Sequence, residues 1–226
     1  GESFPNRMTP RFPYKAIIFD MDGTLVDTES VWQDAEAEMM QQRGVIYTKE
    51  IRSQVLGLRV DEFFDKLRHL LKLRDTTEAL RAELEARVLH LLPTETIPMP
   101  GAAEIIAFVV ENNIPRAIAS SSGQVVIEAV VKSQGWEEAI PVRVSADLCA
   151  KGKPAPDVYL KTAEILGVAP ADCIALEDSP VGARAAVAAG MTCLVISDPA
   201  HSVPADFAEI TPHVYTNLHD VLRDLK

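Results

Sequence analysis

Apolar positions follow two different rhythms along this chain. Lys15-Ala-Ile-Ile-Phe-Asp20 is an unbroken apolar run that stops at polar residues and Gly23, the pattern of a buried parallel strand ending in a loop. From about residue 29 to 90 the spacing becomes helical, through Val31, Ala35 and Met39, then Phe63, Phe64, Leu67, Leu70 and Leu71, then Leu80, Leu84, Val88 and Leu91. Pro93, Pro98, Pro100 and Gly101 then predict a linker. Beyond Gly101 helices at 102–112, 124–134, 157–166 and 181–189 alternate with strands at 116–119, 142–144, 173–176 and 192–196.

That alternation predicts an α/β fold: a Rossmann-like parallel sheet with helices on both faces. The helical stretch is then an insertion after the first strand. Residues 14–27 and 99–226 are expected to form the core, 28–98 an inserted helical cap, and 1–13 an N-terminal tail with its natural start at Met8.

Composition narrows the partners. The 226 residues carry a net charge of −11, which disfavours nucleic acid phosphates and anionic lipid surfaces. Cys149, Cys173 and Cys193 form an odd set without CxxC spacing, so neither a disulfide framework nor a zinc site is expected. No apolar run approaches the roughly 18 residues of a membrane span, and the N-terminus lacks the plan of a signal peptide. A monomer in the cytoplasm is the expectation. His69, His90, His201, His213 and His219 make no ligand spacing and read as ordinary surface or helix-end residues.

The sharpest chemistry is Asp20-Met21-Asp22-Gly23-Thr24, where the first strand meets its loop. Ligands of open α/β sheets bind beyond the carboxyl ends of strands, and carboxylates crowded there need a cation or a proton to offset them. Three further segments follow in order. Ser120 ends the strand Ala117-Ile118-Ala119, Lys153 opens Lys153-Pro154-Ala155-Pro156-Asp157, and Glu177-Asp178-Ser179 follows Ile174-Ala175-Leu176. Each segment alone is a weak signal.

Together, the four segments resemble the ordered motifs of the haloacid dehalogenase superfamily, and the insertion resembles that family's mobile C1-type cap. The resemblance implies a Mg²⁺-dependent phosphomonoesterase acting on a small phosphorylated metabolite. Asp20 would be the nucleophile that forms an aspartyl phosphate, and Asp22 the general acid and base. The dehalogenases of the superfamily lack this second aspartate. Asp20, the main chain of Asp22, Asp178 and, as a nearby second ligand, Glu177 would hold Mg²⁺. Lys153, Ser120 and Ser121 would bind the phosphate.

Arg59, in a Gly57-Leu58-Arg59 loop, reads either as a cap cation gripping substrate or as a solvated helix-start residue. Glu29 and Trp32 would meet the hydroxyl-bearing end of the substrate, although Trp32 reads equally well as packing between cap and core. The stretch Asp27-Thr28-Glu29-Ser30-Val31-Trp32 resembles sugar-phosphate and sugar-alcohol-phosphate phosphatases. The alternatives are a β-phosphoglucomutase-type phosphosugar mutase, which has a His where this chain has Trp32, a phosphoglycolate phosphatase, and a non-catalytic binding protein of the same fold.

Overall fold

The computed structural model describes residues 12–226; Met8 and most of the expected tail lie outside the described residues. The chain starts in β1 (Ala16–Phe19), passes through the two-residue β2 (Val26–Asp27), and enters four helices. These are α1 (Glu29–Gln42), α2 (Lys49–Ser53), α3 (Val60–Leu71) and α4 (Thr77–Glu95). It returns through β3 (Ile97–Pro98), which pairs antiparallel with β2, so the two ends of the helical insert lie side by side.

The remainder alternates as α5 (Ala102–Glu111), β4 (Arg116–Ser120), α6 (Gln124–Gln134), β5 (Val142–Ser145), α7 (Asp157–Leu166), β6 (Cys173–Glu177), α8 (Pro180–Ala188), β7 (Thr192–Ile196), β8 (Val214–Tyr215) and α9 (Leu218–Leu225). Six strands form one parallel sheet in the order β5-β4-β1-β6-β7-β8. The chain leaves β1 for β4 and β5 on one side and comes back to β6 on the other. The carboxyl ends of β1, β4 and β6 therefore converge on one crevice, the place where such sheets bind ligands.

Both faces of β1 are buried, which explains its continuous apolar run. Ile17 and Phe19 pack into a cluster with Ile105, Val130 and Leu222 of α5, α6 and α9. Ala16 and Ile18 face Tyr159, Ala163 and Ala186 of α7 and α8. In the insert, α4 packs against α1, α3 and α6, and its buried Leu80, Leu84, Val88 and Leu92 join the first of these clusters. No helix among the described residues is long and apolar enough to cross a membrane.

Three elements differ from the pattern reading. Pro93 does not end the helix before it: α4 runs on to Glu95, its last turn held by Thr96 N–H and Thr96 Oγ1, which both donate to Leu92 O. Pro98, expected in a linker, sits in β3, a two-residue edge ladder that tolerates a missing N–H. Last, β8 and α9 extend the fold beyond residue 196. The stripe Leu218, Val221, Leu222 and Leu225 carries the helical spacing of α9.

Candidate active site

Asp20 follows directly on β1, and its N–H continues the sheet ladder to Leu176 O. Its carboxylate is nearly buried. Oδ1 accepts from Lys153 Nζ at 2.9 Å, and Oδ2 accepts from Thr24 Oγ1 at 3.1 Å. Lys153 spends its three N–H donors on Asp20, on Ala119 O at 3.1 Å and on Glu177 Oε1 at 2.7 Å, at 2% residue exposure. Burial alone would lower the lysine pKa, but the flanking carboxylates of Asp20 and Glu177 more than offset it and hold the ammonium charged. Tyr159, under the ammonium at 5.0 Å from its ring centre, also donates to Glu177 Oε1.

Crowding shows in the acids. Burial and the Asp20 charge push Glu177 up to about 7 against the pull of Lys153, and they drive Asp178 well above the usual carboxylate range. The loop after β1 and the first turn of α8 close on these groups so tightly that side chains are excluded. A Cβ on Gly23, whose φ is +81°, would sit 2.1 Å from Asp178 Oδ2, and one on Gly182 would sit 2.0 Å from Glu177 Oε2. Ser179 caps α8 by accepting from Gly182 N–H at 3.0 Å.

Asp22 stands apart from this ion-paired group. Thr28 Oγ1 at 2.6 Å and Trp32 Nε1 at 3.1 Å donate to its Oδ1, and Ser122 Oγ at 2.7 Å donates to its Oδ2. Burial raises its pKa, and these three hydrogen bonds oppose the rise. Ser120 Oγ accepts from Ser122 N–H at 3.1 Å, which leaves its own O–H as a donor. Ser121, in contrast, donates to Gly57 O of the insert at 3.3 Å. Asp20, Asp22, Ser120, Ser121, Lys153, Glu177 and Asp178 all line one cavity of about 340 Å³, to which the insert contributes Glu29, Trp32, Glu36 and Arg52.

The haloacid dehalogenase-like hydrolase family model matches residues 14–190, more than half of the chain. The chain belongs to the haloacid dehalogenase-like hydrolase family. Hexitol phosphatase B of Escherichia coli (strain K12) is 36% identical over 197 residues, 84% of this chain and 86% of that protein. The phosphorylated carbohydrates phosphatase of Thermotoga maritima is 30% identical, over 78% of this chain and 82% of its own. Among solved structures, CbbY from Rhodobacter sphaeroides in complex with phosphate superposes with a TM-score of 0.84 at 27% identity, covering 94% of this chain and 99% of that one. A mutant of the same protein, in complex with xylulose-(1,5)-bisphosphate, matches equally well. This haloacid dehalogenase-like hydrolase is a phosphatase.

Phosphatases of the family generally use Mg²⁺, and the residues present fit such an ion. Asp20, Glu177 and Asp178 each offer an oxygen, all within 4.8 Å of one another, with no sulfur or imidazole in the set. Glu177 Oε2 is buried without a hydrogen-bond partner, and three carboxylates face a single ammonium. Both observations mark a place short of positive charge.

The structure corrects the role expected of Arg59. Its guanidinium does not line the cavity. It donates to Ala146 O at 3.0 Å, Cys149 O at 2.7 Å and, more weakly, Ala150 O, and it pairs with Asp61 and Glu62. It is neither a substrate grip nor solvated. It bolts the insert to the loop that leads into Lys153, where Glu62 Oε1 also accepts from Gly152 N–H at 2.9 Å. Cys149 O and Ala150 O take their donors from the arginine, while Ala146 O accepts from it in addition to Cys149 N–H. Arg59→Ala should therefore lower the unfolding free energy by about 2 kcal/mol through the loss of hydrogen bonds from a charged donor to Ala146 O and Cys149 O. Urea denaturation measures this, and an undiminished midpoint would show that the bolt carries no load.

Residues the motifs did not reveal complete the site. Thr28 and Ser122 hold Asp22, Tyr159 supports Glu177, and Arg52 binds Glu29 and Glu36. His201 is exposed, as the surface reading expects, and with Ser202 and Asp206 it lines the same cavity. One signal was available. Glu29, Trp32 and Glu36 fall at i, i+3 and i+7, so polar groups interrupt the buried face of a helix.

Proposed function

We propose that the protein hydrolyses small phosphate monoesters of sugars or sugar alcohols through an aspartyl-phosphate intermediate on Asp20. The reading is carried by the division of labour between the two aspartates. Asp20 sits within the ion-paired carboxylate cluster, whereas Asp22, two residues on, faces the same cavity with both oxygens held by neutral donors.

In the first step Asp20 attacks phosphorus, the phosphorus–oxygen bond of the ester breaks, and Asp22 gives its proton to the departing alkoxide. In the second step Asp22 takes a proton from water, whose oxygen attacks phosphorus and frees Asp20 and inorganic phosphate. Lys153 places positive charge beside Asp20, and Ser120 O–H donates to a phosphoryl oxygen, as do main-chain N–H groups near Ser121. Asp20, Asp178 and the main-chain carbonyl of Asp22 would hold Mg²⁺, with Glu177 beside them, and positive charge held there would offset the carboxylates that otherwise repel the substrate phosphate. Asp22 also separates this chemistry from halide displacement, which needs no proton for its leaving group.

The relatives that hydrolyse hexitol phosphates and phosphorylated carbohydrates support the substrate class. The test is a panel of phosphorylated sugars, polyols, glycolate and nucleotides, reported as kcat/KM with Mg²⁺ and after chelation. A polyol or sugar monophosphate should lead the panel, chelation should abolish turnover, and Mg²⁺ should restore it. A nucleotide or phosphoglycolate as the leading substrate would overturn the substrate reading, and full activity in chelator the metal reading. The neighbour solved with xylulose-(1,5)-bisphosphate holds a ligand that carries two phosphates.

A further inference from the structure

The part of the cavity lining contributed by α1 and α2 is built around a cation whose charge is already spent. Arg52 on α2 donates through Nη1 to Glu29 Oε1 at 2.6 Å, through Nε to Glu36 Oε1 at 3.0 Å and through Nη2 to Glu36 Oε2 at 3.4 Å. Tyr47 O–H adds a 2.5 Å bond to Glu36 Oε1. Glu36 is 4% exposed, so this carboxylate cannot swing away into water. Asp27, whose Oδ1 accepts from Glu29 N–H at 3.1 Å, lines the cavity too, which gives three carboxylates to one guanidinium.

No other cation relieves the balance. Among the described residues lining the cavity, the remaining basic groups are Lys153, committed to Asp20 and Glu177, and His201, which lies 4.0 Å from Asp198 with Asp206 on the same wall. Arg59, the nearby arginine, is turned onto carbonyls of the core. A second phosphate arriving here would meet uncompensated carboxylates, and like charges juxtaposed in a partly desolvated site are strongly unfavourable. Hydroxyl groups face no such penalty. They can donate to the remaining lone pairs of Glu29 and accept from the N–H groups that Arg52 has left.

Resting on the phosphatase reading above, we propose that the Arg52, Glu29 and Glu36 cluster sets specificity by accepting a neutral, hydroxyl-bearing leaving group and rejecting a second anionic group. The preferred substrates carry one phosphate, and bisphosphates are discriminated against at binding. Both kinds of ligand share the same phosphate end, so their ratio isolates the cluster. Negative selection of this sort gives specificity without any extra contact to the favoured ligand.

The experiment measures binding in the Asp20→Asn protein by calorimetry with Mg²⁺, using fructose 6-phosphate against fructose 1,6-bisphosphate at low salt. The monophosphate should bind about tenfold or more tightly than the bisphosphate, and adding Glu29→Gln should narrow that ratio severalfold. Equal or tighter binding of the bisphosphate overturns the proposal. So does a ratio that Glu29→Gln leaves unchanged in a protein with an unaltered melting temperature, or binding of neither ligand. Turnover of the monophosphate by the parent enzyme is measured separately. Its absence would count against hydrolysis, while the binding ratio still decides the specificity.

Discussion

Asp20→Asn is expected to lower kcat by about 10⁴-fold or more, the scale seen when an enzyme loses its nucleophile, with KM little changed and a melting temperature within a few degrees of the parent. The amide keeps the shape of the carboxylate, its oxygen accepting from Lys153 Nζ and its N–H donating to Thr24 Oγ1. What it loses is the anionic oxygen that attacks phosphorus. Stability should hold because one charge leaves a cluster in which Asp20 raises both Glu177 and Asp178, while Lys153 retains Glu177 and Ala119 O as acceptors. Steady-state assays on the leading phosphate ester, with thermal melts of both proteins, measure the two effects. A variant with turnover near the parent's would remove Asp20 from the reaction.

Lys153→Met should be the most damaging single change to stability. The replacement fills the volume of the stem but removes the one ammonium between two buried carboxylates, and breaking a buried pair from one side costs about 3–5 kcal/mol. The loss should depend on pH with a definite sign. Glu177 already sits at about 7 with the lysine present, and without it the carboxyl moves higher. A carboxyl whose folded pKa lies above its unfolded value of about 4.3 binds a proton on folding. The penalty is therefore small below about pH 4 and grows as the pH rises through 7. Denaturant melts of chelator-treated protein at several pH values measure it. A difference from the parent that is largest in acid would contradict this account.

What could be read from the chain without its structure follows the distance over which each signal acts. β1 and Asp20 were legible because an unbroken apolar run stopped by polar residues has few other meanings in an α/β chain. Lys153 and Glu177-Asp178 were legible only as members of the ordered set of segments that resembles the family, since each segment alone is a weak signal. Thr28, Ser122 and Tyr159 were not legible, because an ordinary Thr, Ser or Tyr becomes a partner of Asp22 or Glu177 only when distant segments pack. Ser122, for example, lies 100 positions from Asp22. Arg59 failed for a related reason. A Gly-Leu-Arg loop announces a cation at a turn but not which acceptors it will meet, and the carbonyls of 146–150 reach it before any substrate does. Pro93 shows the limit of a local rule, since one residue without an N–H cannot end a helix whose last turn is tied by Thr96.

The hydrogen bonds that assemble the site span the chain. Lys153 reaches Asp20 across 133 positions, and Thr24 reaches Asp178 across 154. No local segment holds the whole catalytic group, and contacts so remote form only after the intervening chain has been ordered. Recovery of activity during refolding is thus a signal of completion. It cannot precede the docking of β6 beside β1, and a fragment ending before residue 177 lacks the acids needed to regain it.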